Sequence, residues 1–572
     1  MKKALHFIVL MAMASNSLYA QNWVRSFGST KGNTEITGVV TDTENHAIIA
    51  GSFSSGKLEI DAFNTLNNNG ITDVFLVKYD TAGNMVWKLS FGGEKEEYVS
   101  GICLDEQDNI YITGNFRSSS FKIGDRTVSS AWPDNIYVAK FTPDGVLEWL
   151  SHSTGISYYA WPTAVRFSGS RGILFTGSTN ASSITFGNID LSVNSGYSKG
   201  YYGVIDKDGN FLQADLVGEE GENGSQYSFN DITSDTKGNL YLAGSKSIHT
   251  EPDPITWSDY RDVMYLCRIG SDGKTDWVIE DTALYQADRI LRNNDSLFVA
   301  GSREEYRIIF NGGTIDTTSA FYYGAYDLVG NNLWGHKHVG ALAYDAFAQG
   351  GSFIVVGGLL LDHLDLGAFQ LHHLDLGAFQ LHRNADSSSV CPIYQDIFYL
   401  ETDKSGNLRQ AKSISGSLED ISTGVWLSGN GDLYYSGIFE SYSMTVEGND
   451  IINNAELSVF QHVSGTYYDR SIFTFVARSA VFGSPGGTSG PLPMHFGLYP
   501  NPAQEQVRIE LDGTPGEPGV RLFDMHGRSV DALQTFSDKP VLDLSGLSPG
   551  MYIISVTTGN STGTQRLIIS GK

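Results

Sequence analysis

Cysteine is nearly missing from this 572-residue chain, with Cys103, Cys267 and Cys391 the full set. An odd, sparse trio excludes a disulfide framework. Cys103 and Cys267 fall inside strand-like segments, where a small hydrophobe is the expected role. Long apolar runs are missing too. Beyond the N-terminus no segment reaches the ~20 apolar residues that span a bilayer, so no transmembrane segment is predicted in the mature chain. Positive charge is scarce: 38 Lys and Arg face 64 Asp and Glu, for a formal charge of −26. That balance argues against nucleic acid and anionic membrane as partners. Helix-favouring stretches are few. Gly-rich pieces such as Gly312-Gly313 lack the strand–loop–helix setting of phosphate binding.

What is abundant is Gly (64 residues), aromatics (12%), Asn, Ser and Thr. This composition suits many short strands joined by tight turns. A phrase of about 60 residues recurs seven times. Its first copy reads Ile36-Thr-Gly-Val, then Ala47-Ile-Ile-Ala-Gly-Ser-Phe53, then Asp73-Val-Phe-Leu-Val-Lys-Tyr-Asp80, then Gly83-Asn-Met-Val-Trp87. The Gly of the second strand returns at Gly114, Gly177, Gly244, Gly301, Gly357 and Gly437 after Gly51. A unit this short cannot bury its own apolar face, so copies must stack.

Four strands per copy is the grammar of a propeller blade. Turn words such as Asp80-Thr-Ala-Gly-Asn84, Asp206-Lys-Asp-Gly-Asn210, Asp235-Thr-Lys-Gly-Asn239 and Asp403-Lys-Ser-Gly-Asn407 join the strands. Their Gly and Asn supply positive φ. The fourth strand carries Trp87, Trp149, Trp277 and Trp334, with Gln213 and Gln410 in two copies. The seventh copy has no fourth strand after Phe475-Val-Ala-Arg478. However, Asn22-Trp-Val-Arg-Ser-Phe-Gly28 matches Val86-Trp-Lys-Leu-Ser-Phe-Gly92. The N-terminal strand is therefore expected to complete the last blade, removing an open edge. The fold class read from the sequence is all-β. It is a seven-bladed β-propeller of four-stranded antiparallel blades over residues 21–482, with six or eight blades as the alternatives.

His363-Leu-Asp-Leu-Gly-Ala-Phe-Gln-Leu-His372 is followed at once by an identical decapeptide, His373 to His382. His363, Asp365, His372, His373, Asp375 and His382 are metal-compatible ligand types. One copied decapeptide explains their clustering without any metal, so no metal residue is assigned. The Asp-rich turns have oxygen donors for calcium, Asp206 to Asn210 most nearly, but lack the acidic twelfth position of an EF-hand loop. No cofactor is expected, with Ca2+ the one candidate.

The two ends read as addresses. Lys2 and Lys3, the apolar Leu5 to Ala14 and Leu18-Tyr-Ala20 form a secretory signal over residues 1–20, with cleavage expected between Ala20 and Gln21. Gly483-Ser-Pro-Gly-Gly-Thr-Ser-Gly-Pro-Leu-Pro493 lies in a linker, residues 483–495, by composition. Residues 496–572 then hold short alternating strands, Val507 to Leu511, Val520 to Asp524, Val541 to Leu544, Met551 to Val556 and Gln565 to Ile569. They form the pattern of a small Ig-like β-sandwich.

Leu498-Tyr-Pro-Asn-Pro502, Phe523-Asp-Met-His-Gly-Arg528 and Leu547-Ser-Pro-Gly-Met-Tyr552 resemble the type A C-terminal sorting domain of the Bacteroidota type IX secretion system. The positions matching that family are Tyr499, Pro500, Asn501, Pro502, Gly527, Gly550 and Tyr552. The resemblance implies export across the outer membrane and, as partners, the type IX translocon and a sortase. Cleavage in the linker would then leave the protein extracellular or attached to the cell surface. The repeat region resembles the SBBP-type propeller repeats of secreted bacterial proteins. It also resembles quinoprotein propellers, but lacks their vicinal cysteines. Unlike sialidase Asp-boxes, Asp272-Gly273 does not keep the Asp-x-Gly-x-x-Trp spacing to Trp277. The reading is a non-catalytic binding or adhesion scaffold for glycan or surface protein. The alternative is a polysaccharide-acting hydrolase or lyase. Two carboxylates and an Arg converging at the channel mouth would mark the enzyme; Ser, Asn and aromatics there would mark the binder. The binding chemistry is expected in the loops between second and third strands. No catalytic residue is assigned.

Overall fold

The structure, a computed structural model, describes residues 22–28, 32–54, 56–61, 63–130, 134–155, 160–192, 197–218, 225–249, 260–282, 284–303, 306–307, 316–317, 320–339, 341–359, 363–365, 370–372, 396–414, 420–439, 443–446, 449–452, 457–462, 465–470, 473–479, 492–493, 496–499, 503–511, 519–523, 529–530, 533–535, 541–558 and 561–570. Every regular element among them is a strand. No helix of these residues is long and apolar enough to cross a membrane.

Seven four-stranded antiparallel blades form the propeller. Blade 1 runs Thr34–Thr41, Ala47–Phe53, Asp73–Tyr79 and Met85–Phe91 from the inner to the outer strand. Blades 2 to 6 repeat the order, with inner strands Glu97–Leu104, Ala160–Ser168, Gln226–Ser234, Arg289–Asn293 and Ala341–Gln349. Blade 7 is built from Asp420–Leu427, Leu433–Phe439, Phe473–Ser479 and, as its outer strand, Trp23–Phe27. The register pairs Trp23 with Arg478 and Phe27 with Thr474, so the expected closure by the N-terminal strand is present. The second and third strands are buried almost without interruption, as in Ala47–Phe53 and Asp73–Tyr79. Such strands read as continuous apolar runs because both faces are covered by neighbouring blades. Cys103, on the inner strand of blade 2, and Cys267, on the third strand of blade 4, are buried free thiols.

Two repeated devices join each blade to the next. The first is the tight turn between third and fourth strands. In Asp206 to Asn210 the Asp206 carboxylate accepts from the Asp208 and Asn210 amides, each at 2.9 Å, and from Asn210 Nδ2 at 2.9 Å. Gly209 there has φ +91°, which a side chain would strain. The second is the outer-strand Trp, whose indole N–H donates to the second carbonyl of the next blade's turn. Trp87 reaches Pro143 O (3.1 Å), Trp149 reaches Lys207 O (2.9 Å), Trp334 reaches Lys404 O (3.0 Å) and Trp23 reaches Thr81 O (3.2 Å). The two copies with Gln in place of Trp face different neighbours. Blade 4, the neighbour of Gln213, turns through Gly270 rather than Asp, and blade 7, the neighbour of Gln410, has no such turn because its outer strand is N-terminal.

The connections between second and third strands differ from the sequence expectation. Among the described residues they hold a recurring hairpin, as in Lys57–Asp61 with Asn64–Asn67, Ser120–Ile123 with Arg126–Ser129, and Ser183–Phe186 with Ile189–Ser192. Each of these joins the outer strand of the preceding blade: Glu59 bridges Gly28, Lys122 bridges Gly92, and Phe186 pairs with Ser153. Their alternating apolar residues, Leu58 and Ile60, Phe121 and Ile123, Ile184 and Phe186, are buried in the rim. The duplicated decapeptide belongs to the same series. His363↔His372, Leu364↔Leu371 and Asp365↔Gln370 pair in the register of Ser183↔Ser192, Ile184↔Leu191 and Thr185↔Asp190. The two ends of one copy thus pair as a rim hairpin; its residues 366–369 and the second copy, 373–382, lie outside the described residues.

The C-terminal region forms two sheets. One takes Leu492–Pro493, Ser561–Ile569, Gly550–Thr558, Gly519–Phe523 and Ser529–Val530, the other Phe496–Tyr499, Gln506–Leu511, Val541–Asp543 and Leu533–Thr535. Val507, Ile509, Leu522, Leu542, Ile554, Val556 and Leu567 fill the core between them.

Candidate functional site

The inner strands line the central channel, and six of the seven have a β-bulge at the same place. Register shifts skip Thr37, Ser100, Thr163, Asn230, Tyr344 and Thr423. In blade 5 Arg289 pairs with Ala300 and Ala287 bonds to the main chain of blade 4, leaving Asp288 in the bulge position. The bulge turns the preceding inner-strand carbonyl against the second strand. A Cβ on Gly114 would sit 1.9 Å from Tyr98 O, and one on Gly357 would sit 1.8 Å from Leu342 O. This close approach is the reason for the Gly that recurs through the sequence.

The bulge side chains bind around the ring. Thr37 Oγ1 donates to Val99 O (2.9 Å), Thr163 Oγ1 to Phe229 O (2.7 Å) and Asn230 Nδ2 to Ala287 O (3.1 Å). Each acceptor precedes the next blade's bulge. The residue after the bulge divides the ring in two. Blades 7, 1 and 2 have Gly424, Gly38 and Gly101 there, and a Cβ on Gly101 would sit 3.0 Å from Val165 N. Blades 4, 5 and 6 have Asp231, Arg289 and Asp345. Asp231 accepts from Ile290 N of blade 5 (3.1 Å), and Asp345 from Val425 N of blade 7 (2.8 Å). Asp231 also pairs with Arg166 (2.9 Å), and Asp345 with Arg289 (2.5 Å). Three of the seven positions are thus glycine and two are carboxylates that cap the neighbour's amides, with Ala164 in blade 3 between the two groups.

On the carboxylate side lies a cavity of about 390 Å³ at the channel end where inner strands begin, lined among others by Ser100, Thr163, Asn230, Gln286, Asp288 and Tyr344. That volume falls in the range of small-ligand sites. Ser302, also in its wall, donates its hydroxyl to Ala343 O (2.8 Å). Asp288 Oδ1 accepts from Gln286 Nε2 (2.7 Å), while its Oδ2 is buried and has no hydrogen-bond partner. Burial pushes its pKa up to about 7, against the pull of the adjacent Arg289 guanidinium.

The residues singled out from sequence are distributed differently. Tyr499 ends strand Phe496–Tyr499, and Gly550 opens strand Gly550–Thr558 opposite Ile569. Tyr552 is buried in the sandwich, its hydroxyl donating to Ser548 O at 2.9 Å. Pro500, Asn501, Pro502, Gly527, Ala20 and Gln21 lie outside the described residues, as do His373, Asp375 and His382. His363, Asp365 and His372 are in the blade 6 rim hairpin. Among the described residues no group of three His, Cys, Asp or Glu has metal-binding geometry. The donors on Asp206 outweigh its desolvation and hold its pKa below the ordinary Asp value. Sequence reasoning missed the channel ring. Its signal is a residue recurring 13 or 14 positions before each second-strand Gly, from Thr37 before Gly51 to Thr423 before Gly437.

Residues 497–570 match the family described as "Secretion system C-terminal sorting domain". An uncharacterized WD repeat-containing protein of Acanthamoeba polyphaga mimivirus is 24% identical over 198 residues, 29% of this chain and 14% of that protein. The chain thus matches about a seventh of the length of that curated relative. Among solved structures, Sqt1 from Chaetomium thermophilum aligns over 86% of this chain and 97% of its own at 9% identity, with a TM-score of 0.32. The Plexin A4 extracellular region aligns over 95% and 67% at 8% identity, with a TM-score of 0.29. A Bombyx mori beta-fructofuranosidase aligns over 72% and 86% at 12% identity, with a TM-score of 0.25. Scores this low carry no functional argument. The C-terminal match indicates export by type IX secretion to the cell surface or the extracellular space.

Proposed function

We propose that the propeller is a non-catalytic binding scaffold, presented outside the cell, that takes a carbohydrate at the channel mouth. The chemistry of the cavity wall carries this reading. Ser100, Thr163, Asn230, Gln286, Ser302 and Tyr344 offer hydroxyl and amide groups suited to sugar hydroxyls. Glycoside hydrolysis needs two carboxyl groups free to act on substrate. Asp231 and Asp345 are engaged by main-chain amides and guanidiniums, which leaves Asp288.

In this reading residues 1–20 direct entry to the periplasm and are cut between Ala20 and Gln21. The type IX translocon carries the folded cargo outward, and a sortase acts within 483–495. The sorting positions Tyr499, Pro500, Asn501, Pro502, Gly527, Gly550 and Tyr552 present the signal as part of the sandwich fold. No cofactor enters the scheme. The second reading, a hydrolase or lyase acting on polysaccharide, draws on the carboxylates and guanidiniums gathered at the same mouth. A glycan array probed with the mature protein, with reducing ends assayed in parallel, separates the two. Retention without new reducing ends supports the scaffold; turnover abolished by Asp288→Asn would replace it with the enzyme.

A further inference from the structure

The channel cluster does not balance its own charge. Arg166 pairs with Asp231 and Arg289 with Asp345, so two guanidiniums are matched to two carboxylates. Asp288 is the third carboxylate. Arg289 turns away from it, Nε going to Asp345 Oδ1 and Nη1 to the Asp288 main-chain carbonyl at 2.9 Å. The polar neighbours of the Asp288 carboxylate are the side-chain amides of Gln286 and Asn230, at 2.7 and 3.4 Å from Oδ1, and the main-chain amide and hydroxyl of Ser302. Oδ2 is buried without a donor beside the cavity. A buried carboxylate oxygen left bare is costly when ionised, and a cation or a proton relieves it.

We propose that the cavity takes a hydroxylated ligand bearing one primary ammonium, such as an amino sugar with a free amine, and that Asp288 Oδ2 receives the ammonium. This rests on the channel mouth being a carbohydrate site. A primary ammonium has three donors for Oδ2 and the surrounding hydroxyl oxygens. A quaternary ammonium has none and is held by aromatic cages, whereas this wall has Tyr344 as its one aromatic. A guanidinium would duplicate Arg289 and calls for a bidentate carboxylate, and Oδ1 is already taken.

The same geometry makes binding release a proton. Burial raises the Asp288 pKa to about 7, with Arg289 opposing. The charged and titratable groups around it are Arg289 on its own strand, Asp231 with Arg166 from blades 4 and 3, Asp345 and Tyr344 from blade 6, and Tyr322 on the third strand of blade 5. At pH 6 Asp288 is mostly protonated, and an incoming ammonium displaces that proton.

Isothermal titration of the full chain with glucosamine, N-acetylglucosamine and glucose at pH 6, in two buffers of different ionisation enthalpy, tests the assignment. Glucosamine should bind at least tenfold more tightly than the two neutral sugars and release close to one proton. Asp288→Asn should remove both the preference and the proton release. The wild-type preference decides the matter should that variant not fold. Equal affinity for the three sugars would overturn the ammonium assignment and leave the carbohydrate site standing. Binding of none of them would overturn both.

Discussion

Replacing Arg478 with methionine should be among the most damaging single changes in the propeller. Arg478 is 1% exposed and lies on the third strand of blade 7. Its Nε donates to Asp432 Oδ2 at 3.0 Å, its Nη2 contacts the same oxygen, and its Nη1 donates to Thr81 O of blade 1 at 2.6 Å. Thr81 O also receives the Trp23 indole, so it keeps one donor when Arg478 is lost. Asp432, 2% exposed, keeps the Asn430 amide at 2.8 Å but loses the cation that balances its charge. The dominant cost is that stranded carboxylate, about 3–5 kcal/mol for breaking a buried pair. Equilibrium urea unfolding should show it as a lowered midpoint, with tryptophan fluorescence and far-UV circular dichroism tested for coincidence. Arg478→Met with Asp432→Asn should recover most of the loss, since the buried charge is then gone. A single-variant cost below about 1 kcal/mol, the scale of an exposed pair, would refute the reasoning. So would a double variant no more stable than the single one.

Phe186→Ala should cost about 3–5 kcal/mol by urea unfolding, because Phe186 is fully buried where the blade 3 hairpin meets blade 2; a near-neutral result would make the hairpin ornamental. Deleting residues 373–382 should change the unfolding free energy from urea titration by less than about 0.5 kcal/mol, since the two ends of the first decapeptide pair with each other, and a larger loss would assign the second copy a place in the rim. Asp288 makes stability pH-dependent. Its folded pKa, near 7, lies above its ordinary 3.8, so its contribution is full below that lower value and is lost as pH rises through 7, by up to about 4 kcal/mol. Asp288→Asn should flatten that falling limb in unfolding midpoints measured from pH 4 to 8, and an unchanged profile would place the titration elsewhere. Deleting residues 496–572 should leave the protein in the periplasm on cell fractionation; undiminished surface delivery would remove the sorting role from the tail.

The parts legible in sequence were those in which one chemistry repeats. The second-strand Gly recurs because a main-chain carbonyl abuts it in every blade, and the outer-strand Trp recurs because the same turn carbonyl awaits it. The rim hairpins were harder to see. Leu58, Phe121 and Ile184 share only an alternating apolar pattern across loops of different length. The channel ring was hidden by its own variety. Thr37, Ser100, Thr163, Asn230, Asp288, Tyr344 and Thr423 occupy one structural position with five side-chain types, because a bulge fixes the backbone and leaves the side chain free to differ. Asp231 and Asp345 read as surface charge in a chain this acidic; burial against a neighbour's amides is a tertiary fact.

The Trp contact, in the five blades that have it, runs in one direction, from a blade to its successor, and the rim hairpin reaches back to its predecessor. Every joint is thus heterologous, a head meeting a tail, and such joints end only when rotation brings the last tail to the first head. Strand Trp23–Phe27 is the piece that makes this happen within one molecule. Its partner edge on Phe473–Ser479 cannot distinguish the strand of its own chain from that of a neighbour. Monomeric rings and head-to-tail polymers therefore share the same seven interfaces, and the tether joining Gly28 to blade 1 decides between them through the local concentration it imposes.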